Sequence, residues 1–567
     1  MKQIFEYLKP YRFGMILGLI IKFTGTIVEL ALPWILSHMI DAIIPLKEIN
    51  LILLWGVIMI LCSIIAVTFN IIANRMAAKV ARDTTERVRN DLFAKMISLS
   101  DNQVDKFTLP SLISRATSDT YNIHQIIGMM QRIGIRAPII LIGGIIITLT
   151  LDPVLTLVMV AVMPIIFIVI TYVSKVGIPL FTIVQKKTDD YVRIVREDVS
   201  GIRVIKALSK EEYEKNKFNA KVSEAAYQEK KAGMVMSVLN PVMSLCLNIG
   251  TVLVILAGAY RVNSGYIKPG VIIAFLTYVT LILNALLFIS RFFTHYSKAS
   301  ASARRITEIL NEPKELKLIK MPKGNSEYSI EFRDVSFSYN KNENNLSHIN
   351  FKIRRGETLG IIGATGSGKS TLIKLLMRYY DVDSGAIYID GEDIRSIDTK
   401  LLREKFGVVF QNDFISTDTI YENIRFGRNI EKNMIELATN YAMVSQFINE
   451  KSKGFDTNLA VRGANLSGGQ KQRILIARAL SAKPQILVLD DSSSALDYKT
   501  DSILRKNIRE HLEDTTTIMI AQRISSIMKA DHICVLEDGC IVGYGTHDEL
   551  IKSCDIYNEI KKSQMGE

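Results

Sequence analysis

Gly363-Ala364-Thr365-Gly366-Ser367-Gly368-Lys369-Ser370-Thr371 decides how the second half of this 567-residue chain folds. It follows the apolar run Thr358 to Ile362 and precedes Leu372-Ile373-Lys374-Leu375-Leu376, so the stretch reads as strand, glycine loop and helix. That context is what the G-x-x-x-x-G-K-[ST] pattern requires. Glycines let backbone N–H groups fold around phosphates, and the following helix turns its positive end toward them. The pattern assigns Gly363, Thr365, Gly366, Ser367, Gly368 and Thr371 to a phosphate cradle. Lys369 then reaches the terminal phosphates, and the Ser370 hydroxyl ligates Mg²⁺. A plain surface turn would account for the glycines but not for the strand and helix on either side. The expected ligand is a nucleoside triphosphate.

Outward from this loop, composition changes sharply. Residues up to about 300 carry apolar segments near 13–43, 51–74, 133–151, 153–174, 238–260 and 270–290. Each is long enough for the roughly 20 residues that cross a bilayer as a helix. The first is too long for a signal peptide and no small-residue cleavage site follows it. Lysine and arginine crowd 75–106, 175–231 and 291–305, while the connections Ile44–Asn50, Leu151–Asp152 and Arg261–Pro269 carry few. The positive-inside bias therefore predicts a multi-pass protein of the plasma membrane, with both termini and the long loops in the cytoplasm. The net charge of +12 follows from that arrangement and is no sign of nucleic acid, since no arginine–aromatic strip accompanies it. The five cysteines are scattered without metal-ligand spacing and read as reduced, small apolar residues.

The stretches between spans two and three, and between four and five, keep helical periodicity far beyond a bilayer's thickness, as in Val80 to Val88. Each pair is interrupted, at Thr108-Leu109-Pro110 and at Leu208-Ser209-Lys210. A docking role explains the persistence of helix so far from the membrane. We divide the chain into a transmembrane domain (1–312), a polar linker (313–326) and a soluble domain (327–567). In the last, strand patterns at Ser329–Phe337, Leu359–Ile362, Ile486–Leu489, Thr516–Ile520 and His532–Leu536 alternate with helical stretches.

Leu466-Ser467-Gly468-Gly469-Gln470, placed between the glycine loop and the acidic strand end Ile486-Leu487-Val488-Leu489-Asp490, gives these motifs a family. The chain resembles an ABC exporter half-transporter over essentially its whole length. That resemblance implies an α-helical membrane domain of six transmembrane helices with long cytoplasmic extensions, plus an α/β P-loop ATP-binding cassette. It implies ATP and Mg²⁺ as cofactors. It also implies that Leu466, Ser467, Gly468, Gly469 and Gln470 act as the signature on ATP held by the opposite cassette. Asp490 matches the Walker B aspartate and would hold Mg²⁺ with Ser370 and Gln411, the last in the position of the Q-loop glutamine. Tyr339 matches the aromatic that stacks on adenine, and Ser494-Ala495-Leu496-Asp497 the D-loop.

Two positions depart from the family pattern. A glutamate that orients the attacking water normally follows the Walker B aspartate, and here it is Asp491, one methylene shorter. The switch histidine is replaced by Gln522, which can bond a phosphate oxygen but has no titratable ring. A displacement of about 1 Å in a catalytic group can cost on the order of a hundredfold in rate. Asp491 and Gln522 together thus predict a site that binds ATP and hydrolyses it poorly. Cassettes of this family pair head to tail, so the expected partner is a second half-transporter that carries the Walker B Glu and switch His. Val461, where exporters often carry Glu, is a further departure. A homodimeric multidrug exporter and a nucleotide-gated regulator or channel are the rival readings.

Within the spans, Lys22 and Glu29 lie seven apart on one face of the first helix. Intramembrane charges are costly and point to function or pairing, so Glu29 is a candidate contact for a cationic small-molecule substrate. Asn248, Asn284 and Phe288 are candidates for the same cavity. Arg132 and Arg136 are expected to anchor the inner interface. The isoleucine- and lysine-rich composition suggests a bacterial source.

Overall fold

The computed structural model describes residues 1–313, 316–324, 326–411, 414–492 and 495–565. Its contacts divide into two units, residues 1–98 with 109–312 and residues 99–108 with 313–567.

In the first unit, among the described residues, six helical runs are long and apolar enough to cross a membrane. Their main helices are α1 (Arg12–His38) and α2 (Ile49–Ile97); then, beyond a short helix α3 (Asp101–Phe107) of the other unit, come α4 (Thr120–Leu151) and α5 (Pro153–Ser200). A one-and-a-half-turn helix α6 (Ile202–Ala207) leads to α7 (Glu211–Ser237), α8 (Leu239–Asn263) and α9 (Pro269–Leu310). Lengths such as 49 residues for α2 exceed a bilayer crossing more than twofold, so the helices continue well past the apolar segments. Both expected interruptions occur, at Thr108 and Ser209, each in the left-handed backbone region with φ of 62° and 50°. Asp152 ends the α4–α5 turn. Its Oδ1 accepts the Leu155 N–H at 2.8 Å and its Oδ2 meets Arg261 of α8 at 2.6 Å. Close helix contact relies on small residues. A Cβ on Gly144 of α4 would lie 2.9 Å from Ile282 of α9.

The second unit contains two sheets. Strands β1 (Tyr328–Phe337), β2 (Leu346–Arg354), β4 (Ser384–Ile389) and β5 (Glu392–Asp393) form an antiparallel sheet in the order β2-β1-β4-β5. Strands β3 (Thr358–Gly363), β6 (Phe406–Val409), β7 (Ile486–Asp490), β8 (Thr516–Ile520), β9 (His532–Glu537) and β10 (Cys540–Gly545) form the other, in the order β10-β9-β3-β8-β7-β6. Every pairing there is parallel except β9 with β10. Such sheets are buried on both faces, which is why β7 is buried throughout, apolar up to its terminal Asp490, and was visible in the sequence. One core joins Phe332, Leu359, Leu372 and Val488 between the sheets and helix α10 (Lys369–Leu376). A second packs Ile435, Leu487 and Leu504 against α11 (Gly468–Leu480) and the neighbouring α12 (Tyr498–His511).

The helix α3 is capped by Ser100 and Gln103, whose side chains each accept the other's backbone N–H. It packs with the cassette residues, within the second unit, although it lies in the membrane half of the sequence.

Candidate nucleotide site

Sheet register assembles the site. In the order β3-β8-β7-β6, the carboxyl ends of four neighbouring strands carry the glycine loop, Gln522, Asp490–Asp491 and Gln411. Asp490 is aligned with Ile520, and the Asp491 N–H donates to the Ile520 carbonyl at 3.0 Å. Residues far apart in sequence thus meet in the crevice where ligands of open α/β sheets bind. A cavity of about 400 Å³ is lined there by Thr365, Gly366, Gly368, Lys369, Ser370, Thr371, Gln411, Asp490, Asp491 and Gln522. Asn344, Asn345, Asp538 and Gly539 also line it; sequence reasoning passed them over, since asparagine-rich and Asp-Gly turns carry no motif.

The loop is shaped for phosphate. Gly368 caps α10 with φ of 100°, a backbone region closed to most side chains. Nothing lies within 4 Å of where a Cβ on Gly366 would stand, so the loop's inner face is open. Ser367 is buried, and its Oγ lies 3.4 Å from Lys369 Nζ. That ammonium also donates to the carbonyls of Gly363 and Ala364 at 3.0 and 2.6 Å. Burial lowers the Lys369 pKa, against the pull of Asp490 and Asp491. A half-buried cation held by two carbonyls and a hydroxyl, with no carboxylate bonded to it among the described residues, is suited to a phosphate anion.

Ser370 donates its hydroxyl to Asp490 Oδ2 at 3.2 Å. Burial raises the Asp490 pKa and Asp491 adds to the rise, while Ser370 opposes it. A hydroxyl and a buried carboxylate in contact form a hard oxygen donor pair, the chemistry Mg²⁺ takes, and the ion would supply positive charge to compensate the desolvated carboxylate. The residues present therefore fit MgATP.

Asp491 adopts a left-handed conformation, φ 50°. Its Oδ2 accepts the Gln522 side-chain amide at 2.9 Å and lies 3.4 Å from that of Gln411. Burial raises its pKa, with Gln411 and the charges of Arg523 and Lys369 acting the other way. Tyr339 is half-buried, with its ring 4.9 Å from Phe337 and its hydroxyl 3.3 Å from Thr371 Oγ1.

The signature lies elsewhere on this chain. Ser467 caps α11 in a reciprocal pair with Gln470, and Ser467 and Gly468 are exposed. Leu466 to Gln470 do not line the cavity of the glycine loop. Gly469 instead sits against the Ala495 carbonyl, 3.2 Å from where its Cβ would be. Asp497 caps α12 through the Thr500 N–H at 3.0 Å, while Ser494 lies outside the described residues. Val461 is exposed.

In the membrane unit, Glu29 forms an ion pair with Arg136 at 2.5 Å. Its charge is matched within the protein by Arg136 across two helices. Lys22 is buried and donates to Asn70 and Asn74 of α2 at 2.7 and 3.1 Å. Asn248 and Asn284 are exposed in this single chain, and Phe288 is partly buried against the membrane core.

Comparison with known proteins agrees on both halves. Residues 15–286 match the model of the ABC transporter transmembrane region and residues 346–494 that of the ABC transporter family's cassette. The ABC transporter ATP-binding protein YfiB of Bacillus subtilis is 35% identical, with the alignment covering 100% of this chain and 99% of that protein. YfiC of the same bacterium is 30% identical over 100% and 94%. A solved bacterial Atm1-family ABC exporter with ATP bound superposes with a TM-score of 0.84 at 24% identity, over 99% of this chain and 100% of that one. With matches spanning both halves, the chain belongs to the ABC transporter family, as a multi-pass half-transporter that joins a six-helix membrane domain to one ATP-binding cassette.

Proposed function

We propose that this chain is one half of a heterodimeric exporter, in which its own glycine loop binds MgATP but turns it over slowly. The observation that carries the reading is the state of Asp491. The carboxylate in the position of the water-activating glutamate is one methylene short and accepts the Gln522 amide at 2.9 Å, with Gln411 beside it. An oxygen so engaged is turned toward the protein's own amides rather than toward a water, even though burial raises its pKa, and among the described residues no histidine lines the cavity. The signature, by contrast, is complete, with Ser467 and Gly468 exposed and none of its residues lining this chain's own cavity. It would complete the site of a partner that carries Glu and His.

In this reading residues 1–312 form the translocation domain, 313–326 the linker and 327–567 the cassette. Tyr339 holds adenine, and Gly363 to Thr371 with Gln411 and Asp490 hold the phosphates and Mg²⁺. ATP binding draws the two cassettes together and reorients the spans, and hydrolysis at the partner's site resets them. Both termini and the cassette face the cytoplasm of a bacterial cell, and the cargo is a small amphiphile.

The test is Mg-ATPase activity in lipid, for the chain alone and with a candidate partner half-transporter. The expected result is activity only in the pair, lost when the partner's Walker B Glu is removed and little changed by Asp491→Asn. Robust turnover by the chain alone would refute the degenerate-site reading and favour a homodimer.

A further inference from the structure

Carboxylates are scarce in the membrane unit where cations are not. The six apolar segments contain Glu29 and Asp41 as their acidic residues. Asp41 is engaged beyond the end of α1, where its Oδ1 accepts the Gly270 N–H at 2.6 Å. Glu29 of α1 accepts from Arg136 of α4, whose Nη2 and Nε stand 2.5 and 3.3 Å from its two oxygens.

Two further cations share this region without a carboxylate of their own. Lys22 is 3% exposed and donates to the neutral side-chain carbonyls of Asn70 and Asn74. Arg132, one turn before Arg136 on α4, donates its Nε to the Gly128 carbonyl at 3.0 Å. It pairs with no carboxylate among the described residues. Arg132, Arg136 and Glu29 all lie within electrostatic range of Lys22, so the four make one cluster of three positive charges and one negative.

Such an excess is costly among apolar spans, and amides disperse a charge without cancelling it. The two arginines differ from Lys22 in access. Arg136 has a side chain 36% exposed and Arg132 is partly exposed, whereas Lys22 is enclosed. A guanidinium carries five N–H donors in a planar fork, and Glu29 meets only part of the Arg136 set.

We propose that Arg132 and Arg136 form a binding site for the anionic head of an amphiphile, with enclosed Lys22 adding a fixed positive field. The proposal rests on the exporter reading above and deepens it by giving the small amphiphile a negative charge. A carboxylate, sulfonate or phosphate matches the guanidinium fork and offsets the excess charge of the cluster. A soluble cargo and an anionic phospholipid both offer that chemistry, an anionic head on an apolar body.

Binding of two fluorescent probes to the full-length chain in phosphatidylcholine nanodiscs tests it, with empty discs subtracted. Anilinonaphthalene sulfonate and the neutral phenylnaphthylamine share one aromatic body and differ by the sulfonate. The sulfonate is expected to bind at least about tenfold more tightly. Arg132→Gln breaks no ion pair, and should weaken sulfonate binding about fivefold or more while leaving the neutral probe unchanged. Glu29→Gln frees Arg136 and should have the opposite sign, tightening the sulfonate about threefold or more. A variant acting only through damaged packing would weaken both probes. Discs containing phosphatidylglycerol separate the two sources. Undiminished sulfonate binding in them marks a soluble cargo, and competition marks a lipid headgroup.

Equal affinity for the two probes, equal effects of Arg132→Gln on both, or weaker sulfonate binding in Glu29→Gln would each overturn the anion site. The reading of the cargo as an amphiphile would then still stand. Failure of both probes to bind would overturn that reading, and the site with it.

Discussion

Gln522 donates its side-chain amide to Asp491 Oδ2 across 2.9 Å, linking the ends of two adjacent parallel strands. The two residues that depart from the family pattern are thus direct partners. A longer carboxylate would reach farther from β7, and an imidazole at 522 would offer a titratable nitrogen in place of a fixed amide.

The pair is therefore expected to respond as a unit. Asp491→Glu with Gln522→His should raise the ATPase rate of the chain expressed alone by at least about tenfold, because a catalytic group regains its reach and its partner. Gln522→His alone should give a much smaller gain. Steady-state phosphate release in lipid measures both, and equal rates in the parent and the double variant would count against the account.

Asp490 should show the opposite behaviour in stability. Burial raises the pKa of Asp490 and of Asp491, so the folded state holds their protons more tightly than the unfolded chain does. Their favourable contribution is complete below the ordinary aspartate range and is lost as pH rises through the raised folded values. Asp490→Asn removes one desolvated charge beside another. The nucleotide-free protein should become more stable at neutral pH, while stabilisation by MgATP disappears. Thermal unfolding with and without MgATP at pH 5 and pH 8 reads both effects, and a destabilised nucleotide-free variant would contradict them.

Ser467 separates local from intermolecular roles. Ser467→Ala deletes the cap of α11, with an expected loss of about 1 kcal/mol in cassette stability. ATP binding at this chain's own loop should be unaffected, since Ser467 does not line that cavity. Activity of the assembled pair should fall steeply. Isothermal titration of ATP against the variant, beside ATPase assays of the pair, distinguishes these outcomes.

Glu29 and Arg136 form a pair whose halves should not be separable. Glu29→Gln leaves an uncompensated cation between helices and should lower stability in detergent by roughly 1 kcal/mol. Adding Arg136→Gln should restore part of the loss. If the single variant were as stable as the parent and transported cationic substrates less well, Glu29 would be a substrate contact after all.

Much of this was legible in the sequence because the signals are local. The glycine loop, the signature and the β7 carboxylate each occupy a few consecutive residues, and six apolar runs announce six spans. Strands β2, β4, β5, β6 and β10 were missed. Their segments are short or half-exposed, and β2 alternates buried with open positions so that no continuous apolar run marks it. The stretch that breaks at Thr108 was expected to dock, but nothing in the polar composition of Asp101–Phe107 singled out this short helix as the part that packs with the cassette unit.

By itself the sequence determined the groups available: a glycine loop, a carboxylate at the end of β7, an aspartate at 491, an amide at 522, and six apolar runs. Periodicity and motif spacing encode such features because they depend on neighbours within a turn or a strand. The tertiary structure alone decided which of these groups meet. Parallel pairing of β7 with β8 places Gln522 on Asp491, helix packing sets Arg136 against Glu29, and the Tyr380 hydroxyl meets Asp105 across 275 residues of chain. Contacts over such separations follow from the packing of cores and the register of sheets, which no local window of residues contains.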